Sequence, residues 1–205
     1  MSRKALFLAF LLTLPAMAMA QTHRFEITPT ASYRFNGEFE ADSDFPLDDN
    51  LDIRIDEGPA FGVIFDVPLN PNWQLEFIVN RQDSTFIVDE GLFTPERELG
   101  DVAIDYYHAG VGVQWGPGQV NGFVSGGLGF ARVDPDFPEL ESETRFSGNL
   151  GGGVKIFLAE NVGLRVEGRG YWVDLESGFE GRYDRFDSDE GMYQGEVSAG
   201  LIIAW

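Results

Sequence analysis

The stretch NLGGGVKIFLAENVGLRVEGRGYW, residues Asn149–Trp172, decides the fold. Charged side chains such as Lys155, Arg165 and Arg169 lie at every second position, and apolar side chains lie between them. A period of two is typical of a β-strand whose two faces meet different surroundings. The stretch therefore predicts two strands joined by a short turn at residues 159–161, with one charged face and one apolar face.

The same alternation runs through the rest of the chain and gives eight segments in all. The predicted strands occupy residues 24–35, 60–69, 73–82, 102–115, 120–133, 144–158, 162–173 and 193–205. The connections after the second, fourth and sixth segments are short, and the others are long and acidic. Regular alternation of connection length is typical of antiparallel up-and-down strands with one trimmed rim.

The apolar faces decide the environment of this sheet. In a water-soluble protein they would need a second layer, whereas in a membrane lipid covers them. Strands in hydrocarbon cannot leave backbone groups unpaired, so the sheet must close on itself. Eight strands close into a cylinder that side chains can fill. The sequence predicts an all-β fold, an eight-stranded antiparallel up-and-down transmembrane β-barrel with short periplasmic turns and long acidic extracellular loops.

A barrel with this pattern carries its charged face inside. The predicted inward ionisable residues are Glu26, Asp66, Glu76, Glu167, Glu196, Arg34, Arg145, Lys155, Arg165 and Arg169. Charges removed from water need partners, and equal numbers of acids and bases favour an interior filled by ion pairs. Which acid meets which base depends on the strand stagger, which the sequence leaves open. Inward glycines, Gly129 and Gly151 among them, either leave room for long side chains or mark bends.

Residues 1–20 predict a cleaved signal peptide. Arg3 and Lys4 precede an apolar segment at residues 5–14, and Ala18-Met19-Ala20 provides a small-x-small cleavage site. The apolar segment is short for a membrane-spanning helix. We therefore expect export of the chain and a mature barrel domain at residues 21–205.

Composition narrows the partners and the chemistry. The net charge is −20, with 34 acidic residues against 14 lysines and arginines, which disfavours nucleic acid as a partner and favours a cationic one. The chain has no cysteine, which excludes disulfides, thiol catalysis and cysteine-ligated metal. No nucleotide motif or His/Cys metal cluster occurs, so we expect no cofactor.

The C-terminal residues SAGLIIAW and the hairpin in Asn149–Trp172 resemble small outer-membrane β-barrel proteins of the OmpA/OmpX type. The resemblance implies that the barrel-assembly machinery reads an insertion signal at Ser198, Gly200, Ile203 and Trp205. A terminal Trp departs from the commoner Phe. The resemblance also implies the outer membrane of a Gram-negative bacterium as the location, with membrane lipid and lipopolysaccharide as partners.

Most of the acidic residues fall in the long connections at 36–57, 83–101, 134–143 and 174–190. Closely spaced carboxylates are ligands that Ca²⁺ and Mg²⁺ prefer, although no calcium-loop spacing occurs. Three interpretations stay open: a solvated anionic rim, divalent cations that bridge to lipopolysaccharide, and a site for a cationic ligand.

The histidines decide whether catalysis is plausible. His23 lies beside the cleavage site, and His108 is predicted to point inward, where Ser125 or Ser147 could contact it. A packed interior histidine is the favoured interpretation, and a lipid hydrolase is an alternative. The sequence therefore predicts a non-enzymatic outer-membrane protein with a structural, adhesive or barrier role. A narrow channel for small solutes or cations is the main alternative.

Overall fold

The computed structural model describes residues 25–39, 52–89, 97–116, 118–135, 142–174 and 191–205. The strands are β1 Glu26–Phe39, β2 Asp52–Ile55, β3 Gly58–Pro68, β4 Trp73–Asp89, β5 Arg97–Trp115, β6 Val120–Pro135, β7 Glu143–Ala159, β8 Val162–Asp174 and β9 Gly191–Ala204. In these ranges no helix is long and apolar enough to cross a membrane. The predicted signal peptide at 1–20 and His23 lie outside the described residues.

All strand pairs are antiparallel, and β9 pairs with β1, so the sheet closes. The short β2 follows the same line as β3, because both lie between β1 and β4. β2 and β3 therefore share one strand position, and the nine described strands form an eight-stranded barrel. This confirms the predicted eight-stranded antiparallel up-and-down barrel. Short turns lie at one end, which we call the short-turn end, and the long connections lie at the other.

Several strands extend further than predicted at the long-connection end. Strand β4 runs to Asp89 and β5 begins at Arg97, and β2 was not predicted. Near this end the outward positions hold polar residues such as Arg81 and Asp83. The apolar–polar alternation ends there, but the backbone hydrogen bonds between strands continue. Because the alternation marks only the part of a strand that contacts lipid, it underestimates the strand length.

The first and last described residues close the barrel at the short-turn end. The Phe25 and Trp205 backbones exchange two hydrogen bonds, with N···O distances of 3.2 and 3.1 Å. The Trp205 ring lies 6.3 Å from the rings of both Phe25 and Phe65, so it covers the seam from outside. Pro29 lies inside β1 without a bulge, because pairing with β9 resumes at Thr30 in the same register. The outward Pro29 costs only a local gap in that ladder.

Inward glycines act in two ways. A Cβ on Gly129 or Gly153 would lie within 2.0 Å of a carbonyl oxygen on the neighbouring strand, so only glycine permits this close approach. A Cβ on Gly151 would instead meet the Arg169 guanidinium at 3.1 Å. Gly151 therefore leaves room for a long charged side chain.

The outer wall is apolar and aromatic between two girdles. Trp73, Trp115 and Trp205 lie at the short-turn end and are about half exposed. Toward the long connections, Phe130, Phe146 and Trp172 form an edge-to-face series with centroid distances of 6.3 and 6.2 Å. Aromatic belts at two levels are typical of a wall that spans a bilayer.

Candidate functional site in the barrel interior

The interior near the short-turn end holds an ion cluster. Its members are Glu26, Asp66, Glu76, Lys155, Arg165, Glu167 and Arg169, each at most 6% exposed. Lys155 Nζ donates to Glu26 Oε2 at 2.6 Å, to Asp66 Oδ2 at 2.8 Å and to Gln74 Oε1 at 3.1 Å. The three donors of this ammonium are thus all used, as a buried charge requires.

Arg165 lies at the centre of the ion cluster. Its guanidinium donates to Asp66 Oδ2 at 2.9 Å, Glu76 Oε2 at 2.5 Å and Glu167 Oε2 at 2.6 Å. The opposite side is covered by the Phe123 ring, whose centroid lies 4.2 Å from Cζ. Charge-assisted hydrogen bonds and a cation–π contact together replace the water that burial removes.

Arg169 extends the ion cluster toward the middle of the barrel. It donates to Glu167 Oε1 at 3.0 Å, to Glu76 Oε1 at 2.9 Å and also to the Asn149 side chain. Glu76 and Glu167 therefore each bridge two arginines. Such shared carboxylates link β4 and β8 across the barrel, although these strands do not pair.

A separate charged pair lies further toward the long connections. Arg34 Nη2 lies 2.9 Å from Glu196 Oε2 and donates to Asn80 Oδ1 at 2.7 Å. The guanidinium also stacks on two tyrosine rings, with centroids at 4.7 Å for Tyr106 and 5.2 Å for Tyr171. These rings separate the charged interior from what lies beyond it.

Beyond the tyrosines the interior is apolar. We call this cluster the apolar plug; it consists of Val102, Ile104, Tyr106, Ala131, Tyr171, Val173 and Met192. Every member is at most 3% exposed, and the Tyr106 and Tyr171 rings stack at 4.4 Å. The plug fills the bore at the long-connection end by close packing rather than by ion pairs.

His108 lies at the boundary between the two regions. Its Nε2 is 2.6 Å from Ser147 Oγ, because Gly129 lies between them in the same row and has no side chain. His108 stacks on both plug tyrosines, and Ser147 is completely buried. Within the described residues, His108 Nδ1 has no hydrogen-bond partner, so no carboxylate orients this ring. The pair is an enclosed interior contact.

The structure places the nine predicted interior ion-pair residues as follows. Glu26, Asp66, Glu76, Lys155, Arg165, Glu167 and Arg169 meet in the ion cluster, and Arg34 and Glu196 form the separate pair. Arg145, which the expected balance of charges included, lies instead at the outer rim, 21% exposed and 2.6 Å from Glu143. Position near a strand end, where water reaches the side chain, explains the difference.

Two features of the interior were not predicted. Neutral amides, namely Gln74, Asn80 and Asn149, complete the hydrogen bonds of the cations. The apolar plug was also missed, although Val102 and Ile104 occupy inward positions in the sequence pattern. Apolar residues at inward positions near one strand end, such as Val102 and Ile104 on β5, are the signal that could have revealed it.

The predicted insertion-signal residues lie along β9 and just after it. Ser198 is buried and Gly200 points inward, whereas Ile203 and Trp205 are on the lipid-facing side. Across the described residues, no group of three or more His, Cys, Asp or Glu side chains is arranged to hold a metal ion.

Known proteins share this architecture. The family model described as outer membrane protein beta-barrel domain matches residues 6–201. No curated protein sequence matches the chain. Neisserial surface protein A is 14% identical with a TM-score of 0.58, covering 88% of this chain and 97% of its own. OprG from Pseudomonas aeruginosa is 12% identical with a TM-score of 0.58, covering 89% and 96%. AlkL is 14% identical with a TM-score of 0.55, covering 93% and 94%.

Proposed function

Because the chain belongs to the outer membrane protein β-barrel domain family and lies in the cell outer membrane, we propose that it is a non-conducting, non-enzymatic barrel with a structural and surface role. Its acidic connections face the exterior, and its interior serves stability rather than transport. This proposal rests on one observation: the ion cluster fills one half of the barrel interior, and the apolar plug fills the other half.

The filled interior argues against a channel. Arg165 and Lys155 are at most 1% exposed, and every cation in the ion cluster is held by at least two carboxylates. An ion crossing the barrel would have to break these contacts and then pass the closely packed apolar plug. Removing one partner from a buried ion pair costs about 3–5 kcal/mol. Spontaneous opening of this path should therefore be rare.

Conductance in planar bilayers tests this proposal. Wild-type protein should show no discrete openings, whereas a variant with Ile104→Gly, Val173→Gly and Arg165→Ala, which trims both obstructions, should show them. The matched control is Leu128→Gly, because Leu128 is 61% exposed on the outer wall and does not line the bore. Regular, cation-selective openings in the wild type would establish the channel alternative instead.

The enclosure of His108 and Ser147 argues against lipid hydrolysis. Ser147 is 0% exposed and His108 is 4% exposed, so a membrane lipid cannot reach the hydroxyl. Purified protein should therefore show no turnover of phospholipid or lipid A in mixed micelles. Turnover in the wild type that is lost in His108→Ala would show that the protein is an enzyme.

The acidic exterior supports a role at the cell surface. We expect divalent cations to bridge the acid-rich connections to the phosphates of lipopolysaccharide, because carboxylate and phosphate oxygens are both ligands for these cations. The stretch 134–143 carries five acids and no base. Calcium should increase the binding of lipopolysaccharide to the wild-type barrel, and less so after these acids are replaced by Asn and Gln. An unchanged calcium effect would rule out this stretch as the bridge.

The C-terminal residues support recognition by the barrel-assembly machinery. Ile203 and Trp205 are exposed on the outer wall, so an assembly partner can contact them before the barrel enters the membrane. Trp205→Ala should reduce the folded fraction in outer membranes, measured by heat-modifiable migration on gels, more than the outward Tyr33→Ala. Equal folded fractions would contradict this role.

A further inference from the structure

The lipid-facing wall contains a groove of about 470 Å³ across β7, β8 and β9. Outward residues that line it are Gly148, Leu150, Gly170, Trp172, Tyr193 and Gly195. Gly148 and Gly170 form the floor, the Phe35 ring lies against Gly195 at one edge, and the larger side chains form the sides. Leu150 and Tyr193 are 68% and 58% exposed, so these sides project into the surrounding lipid.

The fold does not require glycine at the centre of this floor. A Cβ on Gly170 would meet nothing closer than the Leu150 carbonyl oxygen at 3.9 Å. On the neighbouring Gly168 the nearest atom would be 4.0 Å away. Neither residue has a left-handed backbone conformation. Glycine weakens a strand interior, so open space on the outside is what these two positions provide.

The groove begins at the outer aromatic girdle and leads into the hydrocarbon. Trp172 and Tyr193 lie opposite each other, and Gly170 and Gly195 form the next outward-facing pair toward the short-turn end. Tyrosine and tryptophan at a girdle offer polar groups to lipid ester and headgroup atoms. A chain that descends from the outer leaflet would therefore pass over these rings before it reaches the open space at Gly170.

We propose that this groove binds one acyl chain of an outer-leaflet lipopolysaccharide molecule. The groove is continuous with the lipid-facing wall and opens at the level where that lipid begins. A second copy of the barrel fits less well, because a two-fold contact would place one concavity against the same concavity. Association inside a bilayer depends on van der Waals packing, and a cylindrical chain in a groove is contacted on three sides.

The expected preference follows from these extra contacts. A chain in the groove gains on the order of ten more contacting atom pairs than a chain on flat wall, which corresponds to about a tenfold preference. The flat-wall comparison is Val111, which lies in the same row of the sheet as Leu150, with Gly126 between them. Val111 is 47% exposed and lies outside the groove.

Photo-cross-linking tests the proposal. Benzoylphenylalanine is placed at Leu150 or at Val111, and each protein is reconstituted in phosphatidylethanolamine–phosphatidylglycerol vesicles that contain lipopolysaccharide. The yield of the lipopolysaccharide adduct should be about tenfold higher from position 150. Adding Gly170→Leu should lower the adduct yield from position 150 to that from position 111. The control is Ala109→Leu, which adds a side chain to the outer wall away from the groove and should leave the yield from position 150 unchanged.

Heat-modifiable migration verifies that each variant is folded, which the free space around Gly170 favours. Three results would overturn the proposal: equal yields from the two positions, a phospholipid adduct as the dominant product, or a protein–protein adduct that Gly170→Leu abolishes. The last two identify the phospholipid or a second barrel as the occupant. None of them bears on whether the bore conducts, so this test is independent of the proposed function.

Discussion

The two halves of the bore solve the same packing problem with opposite chemistry. Near the short-turn end, Lys155, Arg165 and Arg169 hold carboxylates from strands across the barrel. Near the long connections, Ile104, Val173 and Met192 pack without any charge. Side chains fill both halves, but the outer wall differs: it is apolar around the ion cluster, whereas Arg81 and Asp83 point outward from β4 beside the plug. On this side of the barrel, charged side chains lie inside where the wall is apolar, and apolar side chains lie inside where the wall is polar.

The difference lies in what each half specifies. Ion pairs have fixed partners and directions, so Lys155 on β7 determines the positions of Glu26 on β1 and Asp66 on β3. Apolar packing tolerates repacking as long as the volume is kept. We infer that the ion cluster sets the stagger of strands that do not pair, whereas the plug contributes stability with less geometric demand.

The largest expected effect comes from breaking the ion cluster at its centre. Arg165→Met leaves Asp66, Glu76 and Glu167 without their shared cation and should lower the free energy of unfolding by about 3–5 kcal/mol. Urea unfolding in lipid vesicles measures it. Arg81→Met is the control, because Arg81 is 55% exposed and its ion pairs should contribute at most about 1 kcal/mol. Equal effects of the two substitutions would show that the cluster is not tightly coupled.

Trimming the plug should have a somewhat smaller effect. Ile104→Ala removes a fully buried side chain and should cost about 2–4 kcal/mol, since the cavity cannot be filled by water or lipid. Leu128→Ala on the lipid-facing wall should cost much less, because lipid fills the space. In the same unfolding assay, a cost no larger than that of Leu128→Ala would indicate that the plug is loosely packed.

Double-mutant cycles should separate the two halves. Arg165→Met and Ile104→Ala share no partner, so their effects should add within about 0.5 kcal/mol. Arg165→Met and Glu76→Gln act on one contact of 2.5 Å and should couple by about 0.5–3 kcal/mol. Coupling between Arg165 and Ile104 of the same size would mean that the interior unfolds as one unit.

The smallest effect is expected at the boundary. Ser147→Ala removes the hydrogen bond to His108 and should cost about 1 kcal/mol. Ser147→Thr keeps the hydroxyl and serves as the control for its loss. Because neither ring stacking nor the ion cluster depends on this oxygen, a cost above that of Ile104→Ala would place the pair among the main determinants of stability.

The sequence was sufficient for the architecture because lipid imposes a strict period of two. In Asn149–Trp172 the alternation gives the face of most residues, and the charged residues predicted to point inward, Lys155, Arg165, Glu167 and Arg169, are buried. The lengths of the turns gave the antiparallel order. Strand ends were less predictable, since beyond the membrane the outward positions of β4 and β5 become polar while pairing continues to Asp89 and from Arg97.

The contacts of the interior were less accessible to sequence reasoning. The sequence predicted that Lys155 and Asp66 point inward. Their 2.8 Å contact, however, depends on the stagger of β7 relative to β3, and these two strands are not neighbours. For Arg145, the face was predicted but the exposure to water was not. It has the inward parity of the pattern, but its height along the barrel places it at the water-exposed rim.

The hydrogen bonds between Phe25 and Trp205 have a consequence for timing. Phe25 precedes β1 and Trp205 follows β9, so one edge of β1 has no partner until β9 is in place. The cylinder therefore cannot close strand by strand in the order of the sequence. It closes late, when β9 pairs with β1 and these two hydrogen bonds form at the short-turn end.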